Sequence, residues 1–141
     1  MEQRHKDVLE LSIKSSYKDL EKVANLIQRA ARDAHIPEGT EEDLTISVLE
    51  AVNNAIQHGN REDKSKQVHI RIETTSGEIA VSIQDEGDGF DLKSVPDPRS
   101  GENLLNTSGR GILIMKEFMD QVTFCVEKRG TLVEMTKRFA A

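Results

Sequence analysis

Val68-His-Ile-Arg-Ile-Glu-Thr-Thr-Ser-Gly-Glu-Ile-Ala-Val-Ser-Ile-Gln-Asp85 carries two apolar–polar alternations on either side of Ser76-Gly77. A period of two puts Val68, Ile70 and Ile72 on one face of a strand, and Ile79, Val81 and Ile83 on one face of the next. Ser and Gly between them are turn residues, so the stretch predicts an antiparallel hairpin with one buried face. Such a sheet needs helices over its apolar side, and the flanking sequence supplies them.

Upstream, Val8–Ile13 alternates like a third strand, and Ser15 and Ser16 offer an N-cap for a helix from about Tyr17 to His35. In that helix Leu20, Val23, Ala24, Ile27, Ala30 and Ala31 recur at three- and four-residue spacing, and Ile36-Pro37-Glu38-Gly39 ends it. A second helix is predicted from Thr40, with acidic residues in its first turn and Gly59 as C-terminal cap. Downstream of the hairpin, residues 86–108 lose periodicity, which is the pattern of a functional lid. A third helix follows Gly111, and strands around Val122–Val126 and Thr131–Thr136 meet at Arg129-Gly130. The expected fold is α+β, a two-layer sandwich whose mixed, mostly antiparallel sheet carries helices on one face. Residues 1–141 make a single domain.

Composition narrows the function. The net charge of −6, with no dense Lys/Arg run, disfavours direct nucleic-acid binding, and 4% aromatic residues without Trp leave few stacking platforms. No apolar stretch reaches the roughly 20 residues a membrane span needs, and the charged Met1–Asp7 does not read as a signal peptide, so the cytoplasm is the expected address. One cysteine, Cys125, excludes an internal disulfide and reads as a small semi-buried strand residue. His5, His35, His58 and His69 are dispersed, against a histidine-based metal site.

Three polar patches remain. Glu50 and Asn54 stand four residues apart on one helix face, with His58 a turn further. They fit either a solvated stripe or a pocket wall, where Glu50 polarises a hydroxyl and Asn54 offers oxygen to magnesium. Asp85 ends a strand with Gly87 and Gly89 behind it, which fits an acidic turn or a carboxylate aimed at an adenine amine above a glycine floor. Ser108-Gly109-Arg110-Gly111 leads into a helix, either as a flexible N-cap or as a phosphate site. No Walker sequence and no protein-kinase signature is present.

In that order, Glu50-x-x-x-Asn54, Asp85-x-Gly87-x-Gly89 and Gly109-x-Gly111 resemble the N, G1 and G2 boxes of the GHKL (Bergerat-type) ATPases, the fold of gyrase, Hsp90, histidine kinases and MutL. Within it, Gly111–Asp120 and Gly130–Lys137 resemble the anti-sigma factor serine/threonine kinases of bacteria, over nearly the whole chain. The resemblance implies ATP and Mg2+ as cofactors. It makes Glu50 the general base and Asn54 the metal ligand, with Asp85 on the adenine amine above Gly87 and Gly89. Thr107, Ser108, Gly109, Arg110 and Gly111 lie along the nucleotide, under a lid around Asp91–Ser108. It implies as partners a sigma factor of RNA polymerase and a small anti-anti-sigma (STAS-type) protein, phosphorylated on Ser or Thr, and a homodimer without nucleic acid or membrane contact. The chain departs from some kinase members at Thr107, where they carry an arginine for the terminal phosphate; Arg110 or Arg99 is the substitute here. A non-catalytic partner-switching regulator that uses ATP only to order its lid is the alternative. A detached histidine-kinase domain fits less well, for want of an upstream dimerisation helix with a phospho-accepting histidine.

Overall fold

The Ser76-Gly77 turn joins β2 (Gln67–Thr74) to β3 (Glu78–Gln84) in an antiparallel pair that matches Ile70 with Ile83 and Ile72 with Val81. A computed structural model describes residues 6–87, 107–127 and 130–140, and for 107–110 the backbone alone. Around the hairpin it places β1 (Asp7–Lys14), α1 (Leu20–Asp33), α2 (Glu38–Asn54), α3 (Thr107–Phe118), β4 (Gln121–Glu127) and β5 (Gly130–Arg138). The strands form one five-stranded sheet in the order β1-β2-β3-β5-β4, and every described pairing is antiparallel.

Register follows from the alternation, because a one-residue slip would turn each apolar set toward water. Leu11 pairs with Ile70, Ile70 with Ile83, and Ile83 with Val133. Val68, Ile70, Ile72, Ile79, Val81 and Ile83 are each at most 1% exposed. Over them lie Val23 and Ile27 of α1, Leu44, Val48 and Val52 of α2, and Met115 of α3. Burying each such side chain contributes about 1.5–3 kcal/mol, which fixes the helices to this side of the sheet. The other face carries Glu10, Ser12, His69, Arg71, Ser82 and Glu134.

Several boundaries differ from the sequence expectation. A 3-10 turn at Tyr17–Asp19 precedes α1; Ser16 Oγ accepts from Lys18 N at 3.3 Å, while Ser15 is buried and serves another purpose. Helix α2 begins at Glu38, two residues before Thr40, because Pro37 supplies a fixed φ at the cap and no amide is lost. Gly59 does not cap a regular helix: Ala55–Gly59 widens into a π turn, closed by Asn60 N donating to Ala55 O at 2.8 Å. Helix α3 starts at Thr107, so Gly111 lies inside its second turn. Cys125 is exposed on edge strand β4, not semi-buried. The expected lid at 91–108 and the Arg129 half of its turn lie largely outside the described residues.

Candidate functional site

The polar stripe of α2 meets α3 at a glycine. Glu50 and Asn54 are half-buried on α2, and a Cβ built on Gly111 would stand 2.9 Å from Glu50 Oε2 and 3.4 Å from Asn54 Nδ2. A carboxylate and an amide are therefore drawn close to the backbone near the start of a helix, whose first four N–H groups, from Thr107 to Arg110, have no partner within it. This is the juxtaposition expected of a wall of oxygen donors facing a phosphate-binding helix start. His58 is exposed in the π turn.

Asp85 lies just beyond β3 and is 3% exposed. Its Oδ1 accepts from Gly87 N and from Thr131 N, both at 3.0 Å, and its own N–H donates to Thr131 O at 3.2 Å. Burial pushes the carboxyl above the ordinary aspartate range; the two backbone donors and the charge of Lys66 oppose that shift without cancelling it.

Three glycines allow this placement. A Cβ on Gly59 would lie 2.0 Å from Asp85 Oδ2, and one on Gly87 would lie 1.8 Å from Gly59 O. Gly130 has φ +136°, a conformation open to glycine, and its missing Cβ would fall 2.1 Å from Asp85 O. The wide π turn is thus what brings Gly59 under the carboxylate. Gly59 stands five positions beyond Asn54, so the glycine beneath Asp85 and the Glu50–Asn54 wall belong to one continuous helical run.

Two site residues escaped the sequence reading. Thr131 is 1% exposed, and its Oγ1 has no hydrogen-bond partner although its backbone grips Asp85. A threonine in a strand gives no signal beyond β propensity. Asn60 is 1% exposed and bonded through both ends of its amide, yet in sequence it follows Gly59 like any turn residue. Beside it, Glu86 is held below the ordinary glutamate range, first by the His69 side chain and then by Gln67 N–H. Gly89 and the side chains of Thr107, Ser108, Gly109 and Arg110 fall outside the described residues.

The donor set suits a nucleotide. A buried carboxylate beside an unpartnered buried hydroxyl offers an acceptor and a donor to a purine edge. No cluster of three or more His, Cys, Asp or Glu exists among the described residues. The Asn54 oxygen fits magnesium in its usual manner, through one or two protein oxygens with substrate phosphates completing the shell.

The family described as histidine kinase-like ATPase domain matches residues 13–137. The chain belongs to the histidine kinase-like ATPase family. It is 36% identical over 102 residues to the serine-protein kinase RsbW of Bacillus subtilis, covering 68% of this chain and 63% of that protein. It thus spans less than two thirds of the length of the RsbW kinases it matches. To the anti-sigma F factor of Clostridium perfringens it is 35% identical over 133 residues, covering 92% of this chain and 94% of that protein. The chain is therefore placed with the anti-sigma factors within this ATPase family. The fold matches a Mycobacterium tuberculosis structure of RsbU and RsbW domains at a TM-score of 0.71 and 14% identity, over 96% of this chain and 33% of that one. It also matches a chain of the SiaB–SiaC complex from Pseudomonas aeruginosa at a TM-score of 0.66 and 12% identity, over 93% and 88%. No described helix of this chain is long and apolar enough to cross a membrane.

Proposed function

We propose that this chain is an ATP-dependent protein serine/threonine kinase of the anti-sigma type. It would transfer phosphate from ATP to a serine or threonine of a small anti-anti-sigma protein, and hold a sigma factor when that antagonist is phosphorylated. One observation carries the reading: Gly111 brings the start of α3 against Glu50 and Asn54, at the end of a helix whose other extension floors Asp85. Named relatives support it, since they include a serine-protein kinase and anti-sigma F factors.

In this reading Asp85 accepts from the adenine amine and the amides opening α3 hold phosphate oxygens. Glu50 takes the proton of the acceptor hydroxyl as that oxygen bonds to the γ-phosphorus and the bond to the β-phosphate breaks, releasing ADP. Magnesium, held by the Asn54 oxygen, would neutralise charge on the phosphates. A homodimer and a cytoplasmic address accompany the reading. Glu50→Ala is expected to lower transfer to a cognate antagonist by at least ~100-fold, measured with radiolabelled ATP, while ATP affinity stays within about threefold. Undiminished transfer by that variant would remove Glu50 from the role of base. Thr107, in place of an arginine, favours one alternative, a regulator that binds ATP without transfer; tight ATP binding with no phosphorylation of any sigma-pathway antagonist would support it.

A further inference from the structure

We propose that Asn60 is the positioning residue for the adenine floor and sets the chain's preference for a 6-amino purine; this rests on the ATP-binding reading above. Asn60 is 1% exposed, and every polar atom of its side chain is engaged. Its Nδ2 donates to Ser15 Oγ at 2.6 Å and to Gln67 O at 2.9 Å, while its Oδ1 accepts from Glu86 N at 2.7 Å. Ser15 itself is anchored, donating to Lys66 O at 2.9 Å. One amide therefore joins the end of β1, the first residue of β2 and the segment that leaves β3.

The bond to Glu86 N–H acts on the site. Glu86 sits between Asp85, the carboxylate of the floor, and Gly87, whose own N–H donates to that carboxylate at 3.0 Å. Fixing the intervening peptide fixes both neighbours. A second anchor holds the same residue from the far side: Glu86 Oε1 accepts from Gln67 N at 2.7 Å, and Oε2 lies 2.8 Å from His69 Nε2, whose Nδ1 lies 2.8 Å from Ser12 Oγ. Meanwhile the residue before Asn60 forms the seat, since Asp85 and Gly87 both close onto Gly59. Residues 59 and 60 thus work as a pair: one gives the space, the other the orientation.

Orientation matters because a carboxylate reads an amine through one directional hydrogen bond, and misplacement by about 1 Å forfeits much of it. In the reading above the phosphates are held elsewhere, at the start of α3. Loosening Asn60 should therefore cost recognition of the base and spare the rest of the nucleotide.

The test compares ATP with inosine triphosphate, which carries an oxo group in place of the 6-amino group. Calorimetry on the full chain is expected to show at least about tenfold tighter binding of ATP, since a polar site left unpaired rejects the analogue. In Asn60→Ala that ratio is expected to fall to about threefold or less, with affinity for inosine triphosphate within about twofold of the native value. A role confined to folding would instead weaken both nucleotides alike. If Asn60→Ala does not fold, Ser15→Ala serves, because it frees Nδ2 from one of its two acceptors, and an intermediate ratio is expected. A native ratio retained in the folded Asn60→Ala, or in Ser15→Ala where the first variant fails, overturns the proposal. A native ratio near one overturns the reading of Asp85, and the role of Asn60 falls with it.

Discussion

At Asp85 a carboxylate is taken almost wholly out of water while two backbone N–H groups donate to one of its oxygens. Burial dominates, so the folded-state pKa lies above the unfolded one. The sign follows: Asp85 contributes stability that is present below the ordinary aspartate range, near 3.9, and lost as pH rises through the higher folded value. In the proposed role binding runs the other way, because the ionised carboxylate is the stronger acceptor from an amine. ATP affinity of the native chain should weaken as pH falls from about 7 to about 4, starting above the range of an exposed aspartate. Asp85→Asn, weak throughout, should lack that limb in the same calorimetric titration. A native affinity that stays flat over this interval would contradict the role given to Asp85. The residues that carried readable signals were those whose chemistry is unusual for their position, such as Glu50 and Asn54 among apolar neighbours. Thr131 and Asn60 gave none, because a strand threonine and an asparagine after glycine are ordinary until tertiary contacts make them otherwise.

Among the elements, the strands were the most legible, since each alternation is read directly as a buried face. The face of the first helix followed equally: Val23, Ile27, Ala30 and Ala31 are buried where three- and four-residue spacing puts them. Ends were less legible, because they depend on backbone bonds that side-chain type specifies only loosely. The end of α1 shows this. His35 takes φ 55°, and Ile36 N donates to Ala31 O at 2.9 Å, the bond that closes a helix on a left-handed residue. A histidine there is strained by about 1–2 kcal/mol relative to glycine. His35→Gly should therefore raise stability by roughly 1 kcal/mol, read as a higher urea midpoint at unchanged slope. A lower midpoint would mean that the histidine side chain contributes more than its backbone costs. The π turn at Ala55–Gly59 had no sequence signature at all, and what marks it out in the fold is the close approach of Asp85 and Gly87 to Gly59.

Across the whole molecule, the layers are fastened near the ends of their elements as well as through the core. Lys137, near the end of β5, donates to Phe118 O at the last residue of α3 and lies 3.7 Å from Asp43 Oδ2 in the early part of α2. With its side chain 15% exposed, that ammonium sits where the α3 dipole favours a cation. Lys137→Met keeps the apolar stem and removes these contacts, so stability should fall by about 1–3 kcal/mol in chemical denaturation. A loss below ~0.5 kcal/mol would show that packing alone holds α2 and α3 together. That packing matters for the proposed function, because the candidate site spans both helices and one strand end, and no single element contains it. Glu50, Asp85 and Gly111 lie far apart in sequence, yet the helical run through Asn54 and Gly59 brings all three to one wall.

In the proposed function this wall binds ATP. Calorimetric titration of the chain with ATP, with and without magnesium, tests it most directly, with Asp85→Asn measured alongside. Magnesium-assisted binding is expected, with a dissociation constant on the order of micromolar to tens of micromolar, weakened at least tenfold by the substitution. No heat of binding at millimolar ATP, or equal affinity in the two proteins, would contradict it.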